Sequence, residues 1–278
     1  MTYRGICAAL REAGVDQPER DAELLLEHFC GASPSRVIAE PERQYGGEAL
    51  CRAVEERCRR VPLQYIMGVW DFYRQTYEVS PDCLIPRQDT EILVEEAVSS
   101  LPRGAFFADV CTGSGCIAVS VLAERRDTHA LAVELSAPAL KLAGRNAERN
   151  GVSERFVPMR ADALRLSRSD LRRFPSPDAI LSNPPYIRTG VLDTLAPEVR
   201  REPRMALDGG DDGLCFYRAL IALAAWWLKP EGFCLFEIGF DQAGELDALA
   251  KEGGFSCRIL RDLGGCDRVA MLRRARIN

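Results

Sequence analysis

Asn183-Pro184-Pro185-Tyr186 carries the densest chemistry in this chain. It follows Asp178–Ser182, an apolar run that reads as a strand. Consecutive prolines stop a strand, remove two backbone donors and stiffen the loop, while their carbonyls stay free to accept. Asn183 adds a side-chain carbonyl. Two acceptors facing one amino group take both of its N–H bonds and hold the nitrogen in place. Tyr186 offers a flat face on which a planar amide or base can stack. This suits methyl transfer to a conjugated nitrogen, a poor nucleophile because its lone pair is delocalised. Polarising both N–H bonds and aiming the lone pair lowers the barrier through proximity and electrostatic preorganisation. No permanent general base is needed, since the nitrogen becomes strongly acidic only after transfer. The bland alternative is an ordinary Pro-Pro turn.

A second segment, Asp109-Val110-Cys111-Thr112-Gly113-Ser114-Gly115-Cys116-Ile117-Ala118, closes one strand and opens a helix. Its glycines let a ligand approach the backbone, and the helix start presents free N–H groups. The spacing also satisfies the loose dinucleotide fingerprint. Asp109 argues against that choice, because a carboxylate beside the turn repels a pyrophosphate but suits an ammonium. S-adenosylmethionine has an ammonium, a sulfonium and no phosphate. Glu134 lies 19 residues past Gly115, at the end of the next strand, where a carboxylate can accept from both ribose hydroxyls. Alternatively, both acids are ordinary strand-end polar residues.

The elements that must position these segments are legible from hydrophobic periodicity. Residues 1–68 read as short helices, with Ala22, Leu25, Leu26 and Phe29 on one face and Leu50, Val54 and Cys58 on another. Trp70, Phe72, Tyr77 and Val79 among polar residues predict a short hairpin within 69–88. A helix with Leu93, Val94, Ala97, Val98 and Leu101 on one face begins near Asp89. From there to residue 278 strand and helix alternate: strands are expected at 105–111, 130–135, 156–159, 178–182, 233–238, 255–260 and 268–272. Buried, non-alternating strands in βα order predict a mostly parallel α/β sheet with helices on both faces. Three regions result: a helical domain at 1–68, a β-hairpin linker at 69–88 and a catalytic domain at 89–278.

Composition narrows the partners. The 278 residues carry a net charge of −5, and residues 1–80 a net −3. Gripping duplex phosphates takes clustered cations, so direct nucleic-acid binding is not expected. No uncharged apolar run reaches the roughly 20 residues needed to span a bilayer, so no membrane association is expected, and the start does not read as a signal peptide. Eleven cysteines without a Cys-x-x-Cys pair predict free thiols in a reducing cytoplasm, and two histidines leave no multi-histidine metal site.

Taken together, these segments resemble the release factor glutamine methyltransferases, the HemK/PrmC family. The resemblance runs through almost the whole chain. It covers Pro62–Gly68, Leu84-Ile85-Pro86-Arg87-Gln88-Asp89-Thr90-Glu91, the glycine turn, Asn183–Ile187, Glu202–Gly210 and Phe236–Gly239. Asn-Pro-Pro-Tyr alone is shared with DNA-adenine and some RNA methyltransferases; its combination with Pro-Arg-x-x-Thr-Glu and Ala-Leu-Asp-Gly-Gly is far more specific. The resemblance implies a Rossmann-like class I methyltransferase domain behind an N-terminal helical domain, with S-adenosyl-L-methionine as cofactor, S-adenosyl-L-homocysteine as product, no metal, and a monomer. It implies methyl transfer to the glutamine amide in the Gly-Gly-Gln loop of class I peptide chain release factors, with the N-terminal helices recognising that substrate. Asn183, Pro184 and Tyr186 would be catalytic. Asn183, Pro184, Pro185, Tyr186 and Arg87 would hold the substrate amide. Asp109, Cys111, Thr112, Gly113, Ser114, Gly115, Glu134, Asp162, Ala163 and Asn183 would line the cofactor. The segment around Arg87 would lie over the cofactor's methionine end. Glu202–Arg204 and Leu207–Gly210 read either as surface loop or as a wall of the substrate groove, and Glu237-Ile238-Gly239 as structural. Three positions depart from the family pattern: Glu134 where Asp is common, Arg74 where Gly often follows Phe-Tyr, and Ala163 where an aromatic residue often stacks near adenine. A ribosomal-protein glutamine is the alternative substrate, a nucleic-acid amino group a more distant one. A nicotinamide oxidoreductase would leave Asn183–Tyr186 unexplained, and a non-catalytic cofactor-binding protein would leave the same tetrapeptide without a purpose.

Overall fold

The computed structural model describes residues 1–275. The chain forms two compact units, one of Met1–Val69 with Leu195–Arg201, the other of Trp70–Thr194 with the remainder from Glu202.

The first unit contains helices α1 (Tyr3–Glu12), α2 (Pro18–Cys30), α3 (Pro34–Ala39), α4 (Glu48–Cys58) and α5 (Leu63–Met67). Thr2 caps α1 by accepting from the Gly5 N–H, Pro18 opens α2, and Gly31 ends it in the left-handed conformation. The expected stripes meet in one core that includes Ile6, Leu10, Leu25, Leu26, Leu50 and Val54. The later segment contributes Glu198, which sits 2.9 Å from Arg57 and 2.5 Å from Arg60. Arg57 is buried, and Asp21 at 2.7 Å is its other carboxylate.

The second unit begins with a two-stranded ribbon, β1 (Val69–Phe72) and β2 (Gln75–Glu78). From Trp70 onward this ribbon belongs to the second unit. Phe72 and Tyr77 are buried in a core with Leu93, Val94 and Ile117. The Tyr77 hydroxyl reaches Ser120 at 2.6 Å, and the buried Asn146 side chain bonds both the N–H and the carbonyl of Glu78. Tyr73 makes the turn in the left-handed region, at φ 57°.

Beyond the ribbon run α6 (Glu91–Ser100), β3 (Phe106–Val110), α7 (Cys116–Glu124), β4 (His129–Glu134), α8 (Ala137–Arg149), β5 (Phe156–Arg160), α9 (Arg168–Leu171), β6 (Ala179–Ser182), α10 (Cys215–Trp227), β7 (Phe233–Glu237), α11 (Ala243–Glu252), β8 (Phe255–Arg261) and β9 (Asp267–Arg274). The seven-stranded sheet is mostly parallel, as expected, and has the order β5-β4-β3-β6-β7-β9-β8, with β9 antiparallel to β7 and β8. Two buried clusters flank it, one holding Phe107, Val119 and Leu181, the other Val110, Ile180 and Tyr217. Strand order reverses between β3 and β6, which pair with Asp109 opposite Leu181. Ligands of open α/β sheets bind at such a switch point, outside the strands' carboxyl ends. The glycine turn leaves β3 there and Asn183 leaves β6, so two segments some 70 residues apart are brought together by one strand pairing.

Candidate active site

The turn after β3 is shaped by backbone conformations that few side chains tolerate. Cys111, Gly113 and Gly115 have φ of 63°, 55° and 81°. A non-glycine residue there is a strained position of the kind that clusters at functional sites. A Cβ on Gly115 would stand 3.1 Å from that of Ala143, so this glycine lets α7 approach α8. Asp109 lies fully buried beneath the turn, outside the cleft wall. Its Oδ2 accepts from Thr112 Oγ1 at 2.5 Å and from the Ala118 N–H at 3.1 Å. Its Oδ1 is buried without a hydrogen-bond partner among the described residues, and burial lifts its pKa to about 7. Asp109 thus braces the turn from below.

Above the turn lies a cleft of about 440 Å³. Cys111, Thr112, Gly113, Ser114, Glu134, Asp162, Ala163, Arg87, Asn183 and Pro185 line it; Asp109, Gly115, Pro184 and Tyr186 do not. The Glu134 carboxylate accepts from the Gly113 N–H at 3.0 Å and the Ser136 N–H at 2.9 Å. Each oxygen keeps a lone pair toward the cleft. Asp162 accepts from the Leu164 N–H at 2.9 Å and so shapes the turn that carries Ala163. Ala163 offers little surface, but Leu135 and Leu164, each 45% exposed, form apolar lining nearby. Cys83, Cys111, Cys116 and Cys215 also line the cleft, and burial raises every one of these thiols, Cys83 to about 12.

The Asn183–Tyr186 loop is clamped from several sides. Ser182 Oγ donates to the Val110 carbonyl at 2.5 Å, tying the two strand ends. Asn183 Nδ2 donates to Thr90 Oγ1 at 3.2 Å. Pro184 is buried. The Tyr186 hydroxyl donates to Glu237 at 3.3 Å, its pKa raised by burial and by that carboxylate. Gln242 Nε2 donates to the Tyr186 carbonyl at 3.1 Å. The Leu207–Gly210 segment runs alongside: Ile187 N–H donates to Leu207 O at 2.9 Å, and Gly209 N–H to Ile187 O at 2.8 Å. Asp208 and Gly210 face the cleft.

Three functional neighbours escape local sequence reasoning. Glu202, buried, accepts from the Ile85 N–H at 3.0 Å and pairs with Arg87. Thr90, at the N-cap position of α6, makes no cap hydrogen bond; its hydroxyl goes to Glu237 instead. Glu237 is buried at the end of β7, its pKa raised by burial to about 7. The available signal was an acid inside a strand otherwise apolar, Phe233-Cys234-Leu235-Phe236-Glu237. Among the described residues no cluster of three or more His, Cys, Asp or Glu is arranged to hold a metal, and no helix is long and apolar enough to cross a membrane.

A Rossmann-like sheet with this turn at its switch point and Asn-Pro-Pro-Tyr beside it is the arrangement of a methyltransferase. Residues 3–68 match the family described as the PrmC N-terminal domain, and residues 92–209 one described as a precorrin methyltransferase domain. A release factor glutamine methyltransferase of Caulobacter vibrioides is 38% identical over 94% of this chain and 91% of its own length. One from Geobacter sulfurreducens is 40% identical over the same shares. The chain belongs to the release factor glutamine methyltransferase family. A methyltransferase structure from Pyrococcus furiosus, 18% identical with a TM-score of 0.52 over 70% of this chain and 86% of that one, shares the fold.

Proposed function

We propose that this protein transfers a methyl group from S-adenosylmethionine to the glutamine side-chain amide of the Gly-Gly-Gln motif in class I release factors. The observation that carries the reading is the state of Asn183. Its Nδ2 is engaged by Thr90, so its Oδ1 remains to accept from a substrate amide at the cleft. The cleft fits the cofactor: its volume of about 440 Å³ lies within the range typical of small-ligand sites. Glu134 would accept from the ribose hydroxyls, the Gly113 turn would follow the methionine end, and Leu135 and Leu164 would flank the adenine where the family often has an aromatic residue. When bound, the cofactor supplies an electrophilic methyl on a sulfonium. Asn183 Oδ1 and the Pro184 carbonyl would each accept one N–H of the target amide, which turns its nitrogen lone pair toward that methyl. Tyr186 would act through its backbone and through packing, because its hydroxyl is committed to Glu237. Arg87, paired with Glu202, would close the cleft over the cofactor and the substrate amide. The helical unit would recognise the release factor, with the enzyme acting as a monomer in the cytoplasm and without touching nucleic acid.

The test offers labelled S-adenosylmethionine with purified release factor, ribosomal proteins and DNA in parallel. Label in the release factor, lost when its Gly-Gly-Gln glutamine is replaced, supports the reading; label only in ribosomal protein or DNA overturns it. Asn183→Ala should lower turnover on the order of 100- to 1000-fold, as does removing one preorganised electrostatic partner.

A further inference from the structure

We propose that Thr90 and Glu237 are positioning residues that set which end of the Asn183 amide faces the cleft. The inference rests on the reading of Asn183 as the acceptor for the substrate amide. A side-chain amide has two ends of nearly equal shape, one donating and one accepting. Nothing in the shape of a pocket distinguishes them; only hydrogen-bond partners do. At Asn183 the partner is Thr90 Oγ1, 3.2 Å from Nδ2. A hydroxyl has one proton, and that of Thr90 points at Glu237 Oε2. Glu237 receives a second donor, the Tyr186 hydroxyl, at Oε1. With its proton spent on the carboxylate, Thr90 presents only lone pairs to Asn183. The Nδ2 end satisfies them. The reversed amide would set Oδ1 against a hydroxyl oxygen with no proton between them.

The fold builds this relay from three separate elements. Asn183 follows β6 and Glu237 ends β7, strands that pair with Ser182 opposite Phe236, so the two residues leave the sheet side by side. Thr90 arrives from the start of α6, where its side chain is diverted from capping. Thr90 and Glu237 are both about 1% exposed, so water does not compete for their hydrogen bonds.

The experiment is a double-mutant cycle read in kcat, KM and cofactor Kd on release factor. Thr90→Val keeps the shape and removes the hydroxyl. It should lower kcat about 10- to 100-fold, the scale of a misaimed reacting group, with cofactor Kd within about twofold of the parent. Thr90→Ser should restore most of the loss. Glu237→Leu is the second variant, since it frees the Thr90 proton to donate to Asn183 and lets the amide turn; its kcat should fall comparably. In an Asn183→Ala background neither substitution should cost more than about a further twofold, because the group they aim is gone. Equal losses with and without Asn183, or a parental kcat in Thr90→Val, would overturn the proposal while leaving the amide-accepting role of Asn183 intact. If Asn183→Ala alone keeps its turnover, that role fails and the relay has nothing to aim.

Discussion

Gly209→Ala is the sharpest probe of how tightly the catalytic loop is held. A Cβ at position 209 would lie 2.7 Å from Tyr186 Cα, 2.8 Å from Tyr186 C and 2.9 Å from the Pro185 carbonyl oxygen. Carbon atoms rest about 3.5–4.0 Å apart at best, so the added methyl demands a shift of roughly 1 Å. Every atom it meets is backbone, and no rotamer change can relieve it. Retreat of the 207–210 segment is opposed by the Gly209–Ile187 and Ile187–Leu207 hydrogen bonds at 2.8 and 2.9 Å. Part of the strain therefore passes into the loop carrying Asn183. A misplacement near 1 Å costs about 100-fold in rate, and overpacking of this kind about 1–3 kcal/mol in stability. Gly209→Ala should thus show kcat down roughly 100-fold, a lowered Tm, and cofactor affinity close to the parent, because Glu134 and the glycine turn lie on other strands. Steady-state kinetics on release factor, a thermal melt and calorimetry of S-adenosylmethionine measure the three. A folded Gly209→Ala enzyme with parental kcat would refute the claim that this segment fixes the loop.

Other expectations follow from single contacts. Glu134→Ala should weaken S-adenosylmethionine binding by about 1–3 kcal/mol through lost charged hydrogen bonds; an unchanged Kd by calorimetry would show that Glu134 is not the ribose acceptor. Glu198 is half-buried, and that desolvation alone would raise its pKa, yet Arg60 and Arg57 hold it at about 2, well below the ordinary value of 4.5. Its stabilising contribution, roughly 2–3 kcal/mol, is present above about pH 4.5 and disappears as the pH falls toward 2. Glu198→Gln should therefore be less stable than the parent at neutral pH and converge with it in acid denaturation; parallel curves down to pH 2 would count against the ion pairs. Gly144 in α8 has open space around its Cβ position. Gly144→Ala should raise stability by about 0.5–1 kcal/mol without altering turnover, and a fall in Tm would contradict that.

The sheet was legible because its central strands are buried on both faces and so lack alternation, while glycine and proline mark their ends. Even β5, weak as a pattern, declares itself by position: it is an edge strand, which tolerates Pro158. The hairpin at 69–78 was legible, but the burial of its Phe72 and Tyr77 was not, because they sit among polar residues. Their burial depends on α6 and α7, which local pattern cannot supply. The role of Thr90 is hidden from local pattern for the same reason, since its hydroxyl's partner is 147 residues away. Nor does local pattern show the partner of Arg87: Glu202 lies 115 residues away, in a segment that reads equally as surface loop or groove wall. Asp109 was expected to face a ligand and instead holds the turn, because a strand residue just before the exit still points into the sheet's packing. Motifs thus revealed which segments matter; the division of labour within them came from contacts between distant parts of the chain.

The first unit also carries a dependence on the order of synthesis. Arg60 emerges from the ribosome 138 residues before Glu198, its bidentate partner. At elongation rates of about 5–20 residues per second, that is an interval of roughly 7–28 s. During it the helices of residues 1–69 can collapse around Leu10, Leu25 and Leu50, with Arg57 already served by Asp21. Arg60 meanwhile has the Gly14 carbonyl and a distant Asp16. The N-terminal unit, first to be made, is completed only after β3, β4, β5 and β6 have been translated, so its final stability is withheld until most of the catalytic sheet exists.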